Sequence, residues 1–292
     1  RFKNKESALV FNSGYQGNLG IISALFTKGD CIFSDRLNHA SIIDGILLSG
    51  AKFFRFRHND IAHLEFLLGK ERAKFKKALI ITETVFSMDG DKCLLKYLVG
   101  LKEKYNCEIM VDEAHATGIF GRSGSGMVEE EGLSEQVDFI MGTFSKALGS
   151  FGAYLAASGK IISYLINTCR SFIYSTALPP GVIAANLESI RVVEEEPRRR
   201  KKLLESSQYF RRALKKSGLD IKGDSQIIPV IIGDNLKCVE SARYLQEKGY
   251  WVLPIRPPTV PQGEARLRFS LTFYHTKEIL QGLIDDIRKI KI

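Results

Sequence analysis

Two spacings of hydrophobic residues alternate through the first two thirds of the chain. Short, continuously apolar runs end in Asp, Ser, Thr or Gly, and between them apolar residues recur every three to four positions. The first spacing predicts buried strands and the second predicts amphipathic helices. We therefore predict an α/β fold with a mainly parallel sheet of about seven strands between layers of helices, followed by a smaller α+β region.

Seven runs carry the strand pattern: DCIFSD, AKFFRFR, KALIITETVF, CEIMVD, VDFIMGTF, GAYLAAS and SFIYST. Three stretches between them carry the clearest helical pattern: GNLGIISALFTKGD, HASIIDGILLSG and LKYLVGLKEKYN. The stretch ESALVFNSGYQ, close to Arg1, is typical of a strand that already lies inside a domain. We therefore expect that the natural N-terminal segment is absent from this sequence.

The pattern changes near Gly181, where a long helical stretch begins. The polar run EEEPRRRKK follows at 194–202, with Pro197 at a predicted helix start. This run is interpreted as a solvated helix face, with nucleic-acid binding as the alternative. We predict a large domain over residues 1–192 and a small C-terminal domain over residues 193–292.

Composition narrows the class of protein. The 292 residues are 45% hydrophobic with a net charge of +9, a balance that favours anionic partners such as phosphate-bearing ligands, nucleic acid or an acidic protein. The five cysteines form no CxxC pair, which indicates reduced thiols in a cytoplasmic protein and no zinc site. No apolar run approaches the ~20 residues of a membrane span, and no secretory signal is visible.

Polar residues follow several predicted strands, at the edge where open parallel sheets bind ligands. In FNSGYQGN, Ser13 and Gly14 open a helix, which suits an anion cradle but also an ordinary helix start. In CEIMVDEAHATG, Asp112 ends a strand and His115 follows it. The acidic box of an ATP-driven helicase would need a GxxxxGK[ST] phosphate loop, and the sequence contains none. A buried aspartate still needs a positive partner, such as a protonated ring nitrogen of a ligand.

Two further strand ends carry weaker signals. Ser87 follows a strand in TETVFSMDGD, where a simple turn hydroxyl is the alternative interpretation. Asn38 and His39 precede a helix in DRLNHASI, where a structural role is the alternative. Both become candidate site residues if the strand ends converge.

Lys146, in DFIMGTFSKALGSFGAY, is the most informative residue. We expect a lysine beside a buried strand end to be desolvated, which would lower its pKa and free the amine to capture an aldehyde. Thr143 and Ser145 can donate to a phosphate, and Gly149 lets the backbone pass close to a flat ligand. Together with Asp112 and the helix start, this pattern predicts a pyridoxal 5'-phosphate (PLP) site.

The order SGY…NHAS…VFSMDGD…DEAHATG…TFSKALG…YSTALPP resembles the α-oxoamine synthase family over nearly the whole chain. These are PLP enzymes of fold type I, so the resemblance implies a large domain like that of aspartate aminotransferase. The stretch IRPPTVPQGEARLRFSLT, at 255–272, is most like the branch that condenses L-alanine with a pimeloyl thioester in biotin synthesis. Other branches use glycine with acetyl-CoA or succinyl-CoA, or serine with palmitoyl-CoA.

The resemblance implies roles around the cofactor ring. Lys146 matches the Schiff-base lysine, and Asp112 matches the acid paired with the pyridinium nitrogen. His115 matches a donor to the phenolic oxygen, with Ser87 nearby. His39 matches the residue that stacks over the ring and meets the substrate.

The resemblance also implies contacts to the phosphate. Gly14 and Tyr15 match the start of the phosphate-side helix, and Thr143 matches another phosphate contact. Ser175 and Thr176 match a pair that reaches the phosphate of the neighbouring subunit. The implied assembly is a homodimer with shared active sites.

For the substrate, Arg256 matches the arginine that holds the amino acid's carboxylate, and Thr259 a contact beside it. The implied partners are L-alanine and pimeloyl-CoA or pimeloyl-acyl carrier protein, without nucleic acid, membrane or metal. Two alternatives stay open: glycine C-acetyltransferase or another family member, and a non-catalytic partner subunit; against a third, a nucleic-acid-dependent ATPase, stands the missing phosphate loop. Relatives have an N-terminal arm with an arginine near the acyl substrate, and the present sequence has no counterpart to it.

Overall fold

A computed structural model describes residues 1–290 and divides the chain into two compact units. The first consists of Arg1–Val85 and Cys93–Pro197, and the second of Phe86–Lys92 with the described residues from Arg198 onward. The division therefore falls five residues after the predicted boundary at 192/193, and it adds a short internal segment to the second unit.

The first unit is built on a seven-stranded sheet in the order β1-β7-β6-β5-β4-β2-β3. Strands β3, β2, β4, β5 and β6 run parallel, whereas β7 is antiparallel to β6 and β1 is antiparallel to β7. The strands are β1 (Ser7–Phe11), β2 (Cys31–Asp35), β3 (Lys52–Phe56), β4 (Ala78–Glu83), β5 (Glu108–Asp112), β6 (Phe139–Thr143) and β7 (Ala153–Ala157).

Helices connect these strands and bury their apolar sides against the sheet, which confirms the α/β prediction. Ser13 and Ser158 cap two of them by accepting a hydrogen bond from a first-turn N–H, and Gly50 ends another in the left-handed conformation. The helices are α1 (Gly14–Leu25), α2 (Ala40–Ser49), α3 (Ile61–Glu71), α4 (Leu95–Lys104), α5 (Met127–Glu130), α6 (Gly159–Thr168), α7 (Arg170–Ile173) and α8 (Pro180–Glu195), with a 3-10 turn at Arg72–Lys74.

The second unit contains a three-stranded antiparallel sheet in the order β8-β10-β9. Three helices complete it, and α9 starts at Pro197 as predicted. Its core is a separate cluster of apolar side chains from the sheet and all three helices. The elements are α9 (Pro197–Lys216), β8 (Ile227–Gly233), α10 (Asn235–Glu247), β9 (Leu253–Ile255), β10 (Ala265–Ser270) and α11 (Lys277–Ile287).

The predicted strand SFIYST is wrong. This stretch begins as the helical turn α7, in which the Ile173 and Tyr174 N–H groups donate to the Cys169 and Arg170 carbonyls. The physical reason is that the backbone N–H groups of this stretch are satisfied within the helical turn, and β1 pairs with β7 at this edge of the sheet. The seventh strand of the sheet is therefore the N-terminal run.

The internal segment Phe86–Lys92 is held within the second unit by close backbone contacts. Gly90 has φ +66°, and a Cβ placed there would lie 2.3 Å from the Ile227 carbonyl oxygen. The buried Arg266 guanidinium donates to the Asp89 carboxylate and pairs with Glu264 at 2.8 Å. The single predicted boundary separates two continuous domains, and such a boundary cannot assign an internal segment to the second unit.

No helix within residues 1–290 combines the length and apolar character needed to cross a membrane.

Candidate active site

The carboxyl ends of the parallel strands carry the candidate chemistry of the first unit. Asp112 ends β5 and is buried. Its Oδ1 accepts a hydrogen bond from the Ala114 N–H at 2.9 Å, and its Oδ2 accepts one from Asn18 Nδ2 at 2.8 Å. The strand end and helix α1 therefore fix both carboxylate oxygens.

Lys146 lies in the turn that follows β6. Its Nζ is 2.9 Å from His115 Nε2, so the predicted lysine and histidine are in hydrogen-bond contact. Gly149 shapes this turn with φ +64°, and its N–H donates to the Lys146 carbonyl at 3.0 Å. Lys146 is exposed, and the expectation that a neighbouring strand end would bury it is wrong. The turn carries the side chain out of the sheet, so the amine is accessible.

His39 is the N-cap residue of α2, and its Nδ1 accepts a hydrogen bond from the Ser41 N–H at 3.2 Å. Its ring lies edge-on to Tyr15, with the ring centroids 6.3 Å apart. Partial desolvation lowers the pKa of His39; the Asp112 carboxylate opposes this shift and the Lys146 charge reinforces it. Three of the predicted site residues are thus close enough to interact electrostatically.

Helix α1 starts against the end of β6. A Cβ on Gly14 would lie 2.9 Å from Met141 Cε and 3.0 Å from Thr143 Cγ2, so glycine allows this close approach. The first-turn N–H groups of α1 and the Thr143 hydroxyl therefore share one corner of the unit. The Tyr15 hydroxyl, by contrast, is hydrogen-bonded to Asp44 on α2.

Ser175 and Thr176 lie beside the same end of α1 in their own chain. Ser175 Oγ accepts a hydrogen bond from Gln16 Nε2 at 2.7 Å, and the Thr176 carbonyl accepts one from Asn12 Nδ2 at 2.7 Å. Both residues are exposed.

Ser87, Arg256 and Thr259 belong to the second unit. Arg256 and Thr259 are exposed and lie in one turn, where the Thr259 N–H donates to the Arg256 carbonyl at 3.1 Å. The Ser87 carbonyl accepts a hydrogen bond from Arg268 Nε at 2.6 Å. Desolvation lowers the pKa of Arg268, which sequence reasoning did not select. Arg268 lies between apolar residues in ARLRFS, and this unusual position for a charged side chain could have identified it from the sequence.

Sequence reasoning also missed Glu83 and Asn18. Glu83 ends β4 and is buried; burial, reinforced by the Asp112 charge and opposed by Lys146, raises its pKa to about 8. A charged residue ending an apolar run is the signal that identified Asp112, and it applies equally to Glu83. Asn18 occupies the apolar face of α1 with the buried Ile21, Ile22 and Leu25, a position where a polar side chain is unexpected.

The side chains of this region fit PLP. Asn18 Oδ1, Glu83 Oε1 and Thr143 Oγ1 are buried and have no hydrogen-bond partner within the part of the chain that the structure describes. Such atoms are rare in folded proteins and point to a ligand that supplies partners. An accessible amine, a buried carboxylate and a helix N-terminus match the aldehyde, ring nitrogen and phosphate of PLP.

Comparisons with known proteins agree with this chemistry. The family described as aminotransferase class I and II matches residues 1–287. A Bacillus cereus relative, provisionally assigned as an 8-amino-7-oxononanoate synthase, is 49% identical over 291 residues, which cover 99% of this chain and 73% of the relative.

Two solved structures have the same fold. A variant of the serine palmitoyltransferase from S. paucimobilis with bound PLP and myriocin is 34% identical, with a TM-score of 0.94 over 98% of this chain and 73% of that one. The 8-amino-7-oxononanoate synthase from Francisella tularensis is 32% identical, with a TM-score of 0.87 over 99% of this chain and 83% of that one.

Proposed function

The chain belongs to the aminotransferase class I and II family, and we propose that it makes 8-amino-7-oxononanoate from L-alanine and a pimeloyl thioester. Within that family it is a PLP-dependent α-oxoamine synthase, which is an acyltransferase. The proposed products are 8-amino-7-oxononanoate, CO₂ and the free thiol of coenzyme A or of an acyl carrier protein.

The observation that carries the proposed chemistry is the contact of 2.9 Å between Lys146 Nζ and His115 Nε2, in the unit whose strand β5 ends at Asp112. An accessible amine next to an imidazole and near a buried carboxylate can accept and return protons. The choice of alanine and a pimeloyl thioester is supported by the provisional assignment of the 49% identical relative.

Each residue has a proposed task. When bound, PLP supplies an aldehyde for amino groups and a ring that accepts electrons from a bond at Cα. Lys146 takes the Cα proton of alanine at Nζ and later returns one, which its exposure permits. Asp112, fixed through both oxygens, holds a proton on the ring nitrogen. His115 donates to the phenolic oxygen, and Thr143 donates to the phosphate.

The remaining candidates are proposed to contact the phenolic side of PLP or the substrate. Ser87 is proposed for the phenolic side, and Arg256 for the carboxylate of alanine, with Thr259 beside it. Arg268 is a second candidate for that carboxylate. It has a desolvated guanidinium, and its only hydrogen bond within the described residues is to the Ser87 carbonyl.

The first experiment tests the cofactor. The purified chain is mixed with PLP, and its visible absorption spectrum is compared with that of Lys146→Ala. We expect a band from the bound cofactor that borohydride reduction fixes on the wild-type chain, at Lys146 by peptide mass. The same band in both proteins would contradict the assigned role of Lys146.

The second experiment tests the substrates. The chain with PLP is supplied with alanine and pimeloyl-CoA, glycine and acetyl-CoA, or serine and palmitoyl-CoA, and products are identified by mass spectrometry. Alanine with the pimeloyl donor should give the highest kcat/KM. A preference for either other pair would leave the family membership intact and refute the proposed product.

The homodimer is also a proposal. Ser175 and Thr176 are exposed in their own chain and can be presented to a second copy. Light scattering should give twice the chain mass of 32.7 kDa. A monomer with full PLP affinity would contradict the shared site.

A further inference from the structure

A series of hydrogen bonds links two of the proposed site residues, the buried Asp112 and the exposed His39, through two buried residues that have no assigned role. Asn18 on α1 and Ser41 on α2 are each 1% exposed. Asn18 Nδ2 lies 2.8 Å from Asp112 Oδ2 and 3.0 Å from Ser41 Oγ. Ser41 Oγ in turn lies 2.8 Å from His39 Nδ1. The hydrogen bonds therefore form a continuous series from Asp112 to His39.

The direction of each hydrogen bond follows from the chemistry of the groups. A flipped Asn18 amide would place its oxygen 2.8 Å from Asp112 Oδ2, so that two acceptors would face each other. The two hydrogens of Nδ2 therefore go to Asp112 and to Ser41. Because Ser41 Oγ accepts from Asn18, its own hydrogen is available for His39 Nδ1.

His39 Nδ1 receives a second donor at the start of α2. The Ser41 backbone N–H points to it at 3.2 Å, and a backbone N–H can only donate. Nδ1 therefore carries no proton, and the neutral imidazole must carry its proton on Nε2. An Nδ1–H would face the Ser41 N–H and would remove the cap of the helix.

We propose that Asn18 and Ser41 are positioning residues, which orient the Asp112 carboxylate and hold His39 as the Nε2–H tautomer, a hydrogen-bond donor for the substrate. The role assigned to the substrate rests on the proposed function, whereas the tautomer and the carboxylate orientation do not. One hydrogen-bond network thus orients both the acid proposed for the cofactor ring and the imidazole proposed for the substrate.

The tautomer is tested on the full chain by ¹⁵N NMR with histidine labelled in the imidazole ring, first without PLP. The chain has five histidines, and the His39→Gln variant identifies the resonances of His39. Wild type should show a bare Nδ1 and a protonated Nε2. Ser41→Ala should raise the Nδ1–H population, and Ser41→Thr, which keeps the hydroxyl, should restore the wild-type pattern. A protonated Nδ1 in wild type, or identical spectra for the Ala and Thr variants, would overturn the proposal.

The orientation of Asp112 is tested by PLP affinity in equilibrium dialysis. Asn18→Leu keeps the volume and removes the donor, and we expect its PLP Kd to rise about tenfold. Asn186→Leu is the matched control, because Asn186 is also buried but its Nδ2 donates to the Phe151 carbonyl at 3.1 Å. Thermal unfolding of both variants identifies any general loss of stability. Equal PLP affinities for the two variants would refute a specific role of Asn18.

The double variant Asn18→Leu/Ser41→Ala tests whether the two residues act together. For one network, its change in PLP affinity should be smaller than the product of the two single changes. Simple multiplication of the single effects would contradict the network. If wild type bound no PLP, the proposed function would fall, and the tautomer measurement without PLP would still decide the hydrogen-bond network.

Discussion

Removing one partner of the buried ion pair between Lys3 and Glu113 should destabilise the first unit strongly. The Lys3 ammonium lies 2.6 Å from Glu113 Oε2, and the side chains are 4% and 0% exposed. Lys3 also donates to Thr117 Oγ1 at 3.0 Å and to the Ser125 carbonyl. Burial is the largest influence and would lower the pKa of Lys3, but the charge and hydrogen-bond interactions with Glu113 and Tyr154 together outweigh it, so the pKa is raised and the ammonium stays charged.

The substitution Lys3→Met removes the cation and leaves the Glu113 carboxylate buried with, among residues 1–290, one remaining donor, the Val128 N–H at 2.9 Å from Oε1. An uncompensated buried charge of this kind costs about 3–5 kcal/mol of unfolding free energy. Replacing both partners, in Lys3→Met/Glu113→Gln, removes both charges. The double variant should therefore recover more than half of the loss.

Urea denaturation of the full chain, followed by far-UV circular dichroism, measures these differences. Arg191→Met is the control, because Arg191 pairs with Glu188 and Glu195 on the exposed side of α8, where solvent screens the charges. The control should show no measurable change. A loss for Lys3→Met as small as that of the control, or a double variant as unstable as the single one, would refute the reasoning.

Three further predictions concern Glu83 and two glycines. The pKa of Glu83 in the folded protein is about 8, above its ordinary 4.5, so the stability contributed by the neutral acid is lost as pH rises through 8. In urea denaturation, Glu83→Gln should therefore gain stability relative to wild type with rising pH. A pH-independent difference between the two proteins would contradict the raised pKa. Gly90→Ala should lower the unfolding free energy by about 1–3 kcal/mol, because φ is positive and the added Cβ would lie 2.3 Å from the Ile227 carbonyl oxygen. A melting temperature equal to that of wild type would contradict this. Gly14→Ala should weaken PLP binding in dialysis by displacing Thr143, with little change in unfolding free energy, and unchanged affinity would argue against a phosphate contact at this corner.

The candidate site illustrates how far local pattern extends. Asp112 could be found because a charged residue at the end of an apolar run is unusual, and Lys146 because glycines and hydroxyls surround it. Glu83 also ends an apolar run, so it could have been predicted by the same argument as Asp112. Ser41 could not have been predicted in this way, because a serine in the first turn of a helix is an ordinary start signal.

The hydrophobic pattern along the chain was sufficient to predict the α/β class, the mainly parallel sheet and the polar residues at the strand ends, because backbone periodicity and strand termini are local properties. The three-dimensional contacts were needed to establish that SFIYST is not a strand, that Phe86–Lys92 belongs to the second unit and that Lys146 is exposed. The tertiary structure also brought Asn18 and Ser41 together between Asp112 and His39. These outcomes depend on contacts between residues far apart in the chain, on which sheet edge is already occupied and on which donor finds which acceptor.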